Sequence, residues 1–164
     1  MDLDLKVAYL LLGSNLGERE RYLEDALKSI NQKVGRVFAI SAIYETAAWG
    51  KIDQPSFLNL AIGIETHLTA FELLDNVLDI EASLGRIRHE KWGARLIDID
   101  IIFYGDEIVN EGDKLIIPHP EMHRRKFVLE PLNEIAAEFK HPVLKKSVSE
   151  ILTTLTDSLT VEKR

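Results

Sequence analysis

The chain has 164 residues, 46 % of them apolar and 29 % charged, with a net charge of −7 and no cysteine. That length corresponds to one domain, 1–164, able to bury about 70 % of its unfolded surface in a core. The charge opposes a sequence-independent grip on nucleic acid or anionic lipid, and the missing cysteine excludes a disulfide framework, a thiolate metal site and a Cys nucleophile.

Residues 1–6 are acidic, and the apolar run 7–12 is too short to target or to span. The expectation is a cytoplasmic protein that engages neither membrane nor nucleic acid. The same run, closed by Gly13-Ser14-Asn15, has the pattern of a buried strand ending in a turn. Leu23, Ala26, Leu27 and Ile30 recur at i, i+3, i+4, i+7, with Asn15 and Glu18 placed as N-cap and N3, which predicts a helix over 16–32. The β-branched and aromatic residues of 34–44 predict a second strand, followed by a loop holding Gly50, Asp53 and Pro55. Over 57–66 the pattern alternates, with Leu58, Leu60, Ile62 and Ile64 on one face and Phe57, Asn59, Ala61 and Gly63 on the other. This predicts a strand buried on one side. Thr69 and Glu72 form a capping box, and Leu73, Leu74, Val77, Leu78, Ile80 and Leu84 make a helical stripe ended by Gly85.

Residues 97–104 predict a fourth strand. The order β-α-β-β-α-β predicts an α+β, ferredoxin-like βαββαβ core: an antiparallel sheet with helices on one face and additional C-terminal helices. Beyond Gly105 we expect a short strand at 107–109, a loop at 118–125 and helices near 128–138 and 147–155. The segment after Lys140 is expected as a helical cover at the sheet's edge.

The face without helices is where chemistry is expected. Ile97, Ile99 and Ile101 share one face of the fourth strand, so Asp98 and Asp100 share the other, about 6.8 Å apart. Such a pair reads either as a wet acidic edge or as a cation site. Asp is disfavoured in strands, and two on one face repel each other unless a cation lies between them; oxygen ligands without cysteine point to Mg²⁺. Phe57 and Asn59 give an aromatic plane beside an amide, suited to a flat nitrogenous ring or to ordinary packing. Charge is uneven: 86–95 carries +3 and 119–126 carries +2, leaving −12 on the remainder. Guanidinium groups ahead of the acidic strand suit phosphates bridged to a metal. Gly13-Ser14-Asn15-Leu16-Gly17 lacks the P-loop Lys and the Rossmann glycine pattern, and of the five histidines His119, preceded by Pro118 and close to the second basic segment, is the one singled out. A ferredoxin-like regulatory module and a metal-dependent nuclease remain alternatives. The acidic pair speaks against the first and the acidic body against the second.

Taken together, Gly13-Ser14-Asn15, Tyr44-x-Thr46, Gln54-Pro55-x-Phe57-x-Asn59, Arg86-x-Arg88, Trp92-Gly93-x-Arg95-x-x-Asp98-x-Asp100, Pro118-His119-Pro120 and Arg125-x-Phe127 resemble the 6-hydroxymethyl-7,8-dihydropterin pyrophosphokinase family. The resemblance runs from about Val7 to Glu134. It implies transfer of pyrophosphate from ATP to the pterin hydroxymethyl group with release of AMP, in folate biosynthesis. It further implies two Mg²⁺ ions on Asp98 and Asp100 and catalytic roles for Arg86, Arg95, Asp98 and Asp100. Pterin contacts fall on Thr46, Ala47, Ala48, Phe57, Asn59 and Phe127, and ATP contacts on Glu81, Arg86, Arg88, Trp92, Arg95, Lys114, His119 and Arg125. The expected partners are ATP and the pterin, and the expected assembly is a monomer or weak homodimer. Ala94 and Ala48 stand where the family often has Pro, and Lys114 where it often has Arg.

Overall fold

The computed structural model describes residues 5–46, 56–85, 96–156 and 160–164. Strand β1 (Lys6–Ser14) lies at the centre of an antiparallel sheet, between β4 (Phe57–Thr66) and β5 (Asp98–Tyr104). On the far side of β4 run β2 (Arg36–Ile40) and β3 (Tyr44–Thr46), and β8 (Val161–Lys163) adds outside β3. Helices α1 (Arg19–Lys33) and α2 (Ala70–Ser83) pack on one face, over Leu10, Leu12, Leu58, Ile62, Ile64 and Ile99. The βαββαβ core and the in-out assignment along the third and fourth strands of the reading are those observed.

Helix starts divide into two kinds. Thr69 Oγ1 accepts from Glu72 N at 3.2 Å while Glu72 Oε1 accepts from Thr69 N at 2.8 Å, the reciprocal cap expected for α2. Gly85, at φ +88°, ends that helix in the left-handed region where a side chain is strained. Asn15 does not cap α1: it is fully buried, and the helix starts four residues later, after Gly17 turns the chain at φ +69°.

The second strand is broken. Between the pairs Ile40↔Ile62 and Tyr44↔Asn59, three residues of the outer strand face two of β4, so one residue is extra. A one-residue bulge reverses the facing of everything beyond it, and it turns Tyr44 and Thr46 to the face of Asn59 and Phe57. Backbone groups at the bulge are satisfied in part by side chains: Ser41 N donates to the Ala61 carbonyl, Ala61 N of β4 to Ser41 Oγ, Ala42 N to Glu134, and Arg164 N to the Ile43 carbonyl. A second bulge lies where Tyr9 pairs with Phe103 and Leu10 with Ile101, leaving Ile102 over. Ile102 and Phe103 consequently both join the second face, and Tyr104 returns to the first.

That second face is covered rather than open along its length. Tyr9, Leu11, Ala61, Ile102 and Phe103 are apolar there and require cover, which comes from α3 (Lys126–Ala136), α4 (Val148–Thr153) and the 3₁₀ turn Met122–Arg124. Of the segment after Lys140, α4 therefore packs on the sheet face rather than at its edge, while β8 extends the sheet's edge as a strand. Strands β6 (Val109–Asn110) and β7 (Ile116–Ile117) form a separate hairpin, with β6 shifted from the expected 107–109.

Candidate active site

Helical cover stops short at the β1 end that carries Gly13, and a cleft of about 1080 Å³ opens there. Its floor is a row across three strands. Gly13 of β1 pairs with Asn59 of β4 on one side and Asp98 of β5 on the other, and Leu11 pairs with Asp100. Cross-strand partners share a face, so Asn59, Asp98 and Asp100 look into one space. Gly13 is what lets the row close up, because a Cβ there would stand 2.8 Å from Asn59 Oδ1. Asn59 itself is 5 % exposed, so its amide is presented from a nearly solid wall.

Phe57 and Thr46, paired across β3 and β4, flank this floor on one side. The Thr46 hydroxyl is buried and has no hydrogen-bond partner among the described residues, which a ligand in the cleft would supply. Phe127, on the first turn of α3, and Arg125 line the cleft from the helical side. The Arg125 guanidinium carbon sits 5.7 Å from the Phe127 ring centroid, so the cation rests against the aromatic plane. Asp98 and Asp100 offer hard oxygen donors. Among the described residues no group of three or more His, Cys, Asp or Glu side chains forms a complete metal cage. A two-carboxylate donor set of that kind fits Mg²⁺, which keeps substrate phosphates and water among its ligands.

Of the expected site residues, the structure thus brings together Thr46, Phe57, Asn59, Asp98, Asp100, Arg125 and Phe127. Glu81, Lys114 and His119 do not line the cleft. Glu81 is buried beneath it, where Oε2 accepts from Ile99 N at 2.7 Å and satisfies the outer edge of the strand that carries both aspartates. Lys114 is exposed in the β6–β7 hairpin. His119 donates its backbone N–H to the carbonyl of the bulged Ile102, and its Nδ1 accepts from Glu121 N at 3.2 Å. Burial and the nearby Arg125 hold the His119 imidazole below its ordinary pKa. It is therefore neutral with its proton on Nε2, a donor and not a cation. Ala47, Ala48, Arg86, Arg88, Trp92 and Arg95 lie outside the described residues.

The sequence reading missed a cleft wall built from His123, Arg124, Lys146, Ile151 and the stretch Thr154, Leu155, Thr156. Two signals pointed to it: the basic run 119–126, and the Ser147/Glu150 capping box that starts α4.

Residues 9–137 match the family model of 7,8-dihydro-6-hydroxymethylpterin-pyrophosphokinase. The chain is 46 % identical over 133 residues to a Bacillus subtilis protein named 2-amino-4-hydroxy-6-hydroxymethyldihydropteridine pyrophosphokinase, covering 80 % of this chain and 79 % of the relative. A Haemophilus influenzae protein of the same name is 41 % identical over 149 residues, covering 90 % and 89 %. The crystal structure of wild-type Plasmodium falciparum HPPK-DHPS with STZ-DHP superposes with a TM-score of 0.74 over 91 % of this chain, at 18 % identity. The present chain spans 43 % of that longer one, and the likeness bears on fold alone. With the family model matched from the first strand to the end of α3, the chain belongs to the 7,8-dihydro-6-hydroxymethylpterin-pyrophosphokinase family.

Proposed function

We propose that the cleft binds ATP and 6-hydroxymethyl-7,8-dihydropterin and transfers the pyrophosphoryl group of ATP to the hydroxymethyl oxygen, releasing AMP, as a step of folate biosynthesis. One observation carries this reading: Asn59, Phe57 and the Asp98/Asp100 pair face one cleft, in a chain whose relatives carry the pyrophosphokinase name. Asn59 has two donors and two acceptor lone pairs for the edge of the heterocycle, and Phe57 and Phe127 supply apolar planes for its faces. The Thr46 hydroxyl, without a partner among the described residues, would add a further polar contact at the ring.

In the reaction the hydroxymethyl oxygen forms a bond to the β-phosphorus. The bond from that phosphorus to the oxygen bridging to the α-phosphate breaks, AMP leaves with the electron pair, and the hydroxyl proton passes to solvent. Asp98 and Asp100 would hold two Mg²⁺ ions, whose chemistry is neutralisation of the triphosphate and acidification of the attacking hydroxyl. The chain's own contribution is positioning and charge. Arg86, Arg88, Trp92 and Arg95 of the basic segment, with Lys114, His119 and Arg125, are the proposed ATP contacts, and Arg86 and Arg95 are the ones proposed to meet the transferring phosphates. Neutral His119 suits a hydrogen bond to phosphate or ribose oxygen without adding charge.

The test is direct. Incubation with ATP and Mg²⁺ should yield AMP only when the hydroxymethyl-dihydropterin is present, with pterin diphosphate formed in equal amount. AMP formed without the pterin, or none with it, overturns the assignment.

A further inference from the structure

The bulge that turns Thr46 into the cleft is braced from across the site by one side chain. Glu134, near the end of α3, accepts from Tyr44 Oη through Oε1 at 2.7 Å and from Ala42 N through Oε2 at 3.0 Å. Lys163 Nζ of β8 stands 3.6 Å from Oε1. Burial alone would raise the Glu134 pKa. The hydrogen bonds from Tyr44 and Ala42, with Lys163, outweigh it and hold the carboxyl below its ordinary value. Tyr44 is 7 % exposed and pairs directly with Asn59, on the cleft face.

The two anchor points of this contact belong to the two sides of the ring site. Phe127 lies on the first turn of α3, about two helical turns before Glu134. Thr46 lies two residues beyond Tyr44 and pairs with Phe57. Glu134 therefore joins the helix bearing one cleft wall to the strand bearing the other, at the bulge that sets which way that strand faces. We propose that Glu134 is a positioning residue for the pterin, fixing the separation of the Phe127 side from the Thr46–Phe57 side through Tyr44 and Ala42. This rests on the pterin reading of the cleft. Glu134 does not line the cleft, so its effect reaches the ligand only through its two partners.

The experiment measures KM for pterin and for ATP, kcat and thermal midpoint for the wild type, Glu134→Ala, Glu134→Gln and Tyr44→Phe. Glu134→Ala should raise the pterin KM about tenfold, with the ATP KM held within about twofold. Glutamine can accept from Ala42 N through its oxygen and donate to Tyr44 Oη through its nitrogen, so Glu134→Gln should restore most of the pterin affinity. Tyr44→Phe, which keeps the Ala42 bond, should fall between the wild type and Glu134→Ala. An unchanged pterin KM in Glu134→Ala, a parallel rise in both KM values, or failure of the glutamine to rescue each overturns the role. Should Glu134→Ala not fold, Tyr44→Phe against Glu134→Gln decides: equal pterin affinity in both overturns it. A wild type that binds no pterin and makes no AMP overturns the functional reading instead, before any variant is compared.

Discussion

At the scale of single residues, the site depends on a missing side chain as much as on those present. Gly13 lies between Asn59 and Asp98, and its φ is not in the left-handed region, so alanine is compatible with its backbone. What alanine would disturb is space, since its Cβ would meet Asn59 Oδ1 at 2.8 Å and the amide would have to rotate. Gly13→Ala should leave the thermal midpoint little changed, because the smaller unfolded-state entropy offsets local strain. It should weaken pterin binding by about tenfold or more, the loss of roughly one well-made hydrogen bond to a ring, while ATP affinity stays as in the wild type. Titration with each ligand separately checks this, and undiminished pterin binding would show that Asn59 does not hold the ring. The alternation over 57–66 and 97–104 made Asn59, Phe57, Asp98 and Asp100 legible, because a period of two leaves little freedom in a strand with one buried face. Glu81 entered only through the family resemblance, as an ATP contact, and its use as acceptor for Ile99 N depends on how α2 meets the sheet edge, which no local pattern records.

Among the elements, those written in local rules were readable and those set by register were not. The capping boxes at Thr69/Glu72 and Ser147/Glu150 are four-residue patterns, and both are formed in the fold. The bulges at 41–43 and at Ile102 have no such signature. The run Ile40-Ser41-Ala42-Ile43 continues a plausible strand, and hydrogen bonds made by Ser41, Ala61, Ala42 and Arg164 make the extra residue tolerable. Likewise Asn15 meets the composition of an N-cap but is drawn into the buried end of β1, so tertiary packing decides where α1 starts. Helix α4 offers a test at this scale. Six residues are too few to be stable alone, so α4 relies on its cap and on burial of Val148 and Ile151. Ser147→Ala should cost about 1 kcal/mol, seen as a thermal midpoint lower by about 2–4 °C for a chain of this size. Ile151 and Thr154 line the cleft, so ligand should recover part of that loss. Thermal melts with and without ligand measure both effects, and an unchanged midpoint would mean that the cap contributes nothing to α4.

For the molecule as a whole, two electrostatic effects compete as pH falls. A body with net charge −7 loses self-repulsion on acidification, which favours the folded state. Opposing this are two histidines, His119 and His141, whose folded pKa values are held below the ordinary 6.5, in both cases mainly by burial. His141 is 5 % exposed, and its Nδ1 accepts from Val143 N and Leu144 N, both at 3.1 Å, so it must stay neutral to keep that turn. Below the unfolded value the unfolded chain takes up protons that the folded chain refuses, so stability is lost as pH drops from about 6.5 toward the folded pKa. Glu45 and Glu134 act in the same direction lower down. A hydrogen bond from Ser56 is the main cause at Glu45, while at Glu134 the bonds from Tyr44 and Ala42 outweigh burial; both carboxyls lie below 4.5 when folded, so their contribution is lost beneath that pH. Surface repulsion is screened over about 8 Å at physiological salt, whereas the desolvation of a buried imidazole is not. The histidines should therefore win. At 0.15 M salt the thermal midpoint should be level near pH 7–8, begin to fall as pH drops below about 6.5, and fall further below about 4.5. Asparagine can present Oδ1 to the amides two and three residues on, so His141→Asn keeps the turn while removing a titrating group. That variant should flatten the fall that begins below about pH 6.5 and leave the one below about 4.5 in place. An identical slope in wild type and variant would move the acid sensitivity away from His141, and a midpoint rising on acidification would show the net charge to be dominant.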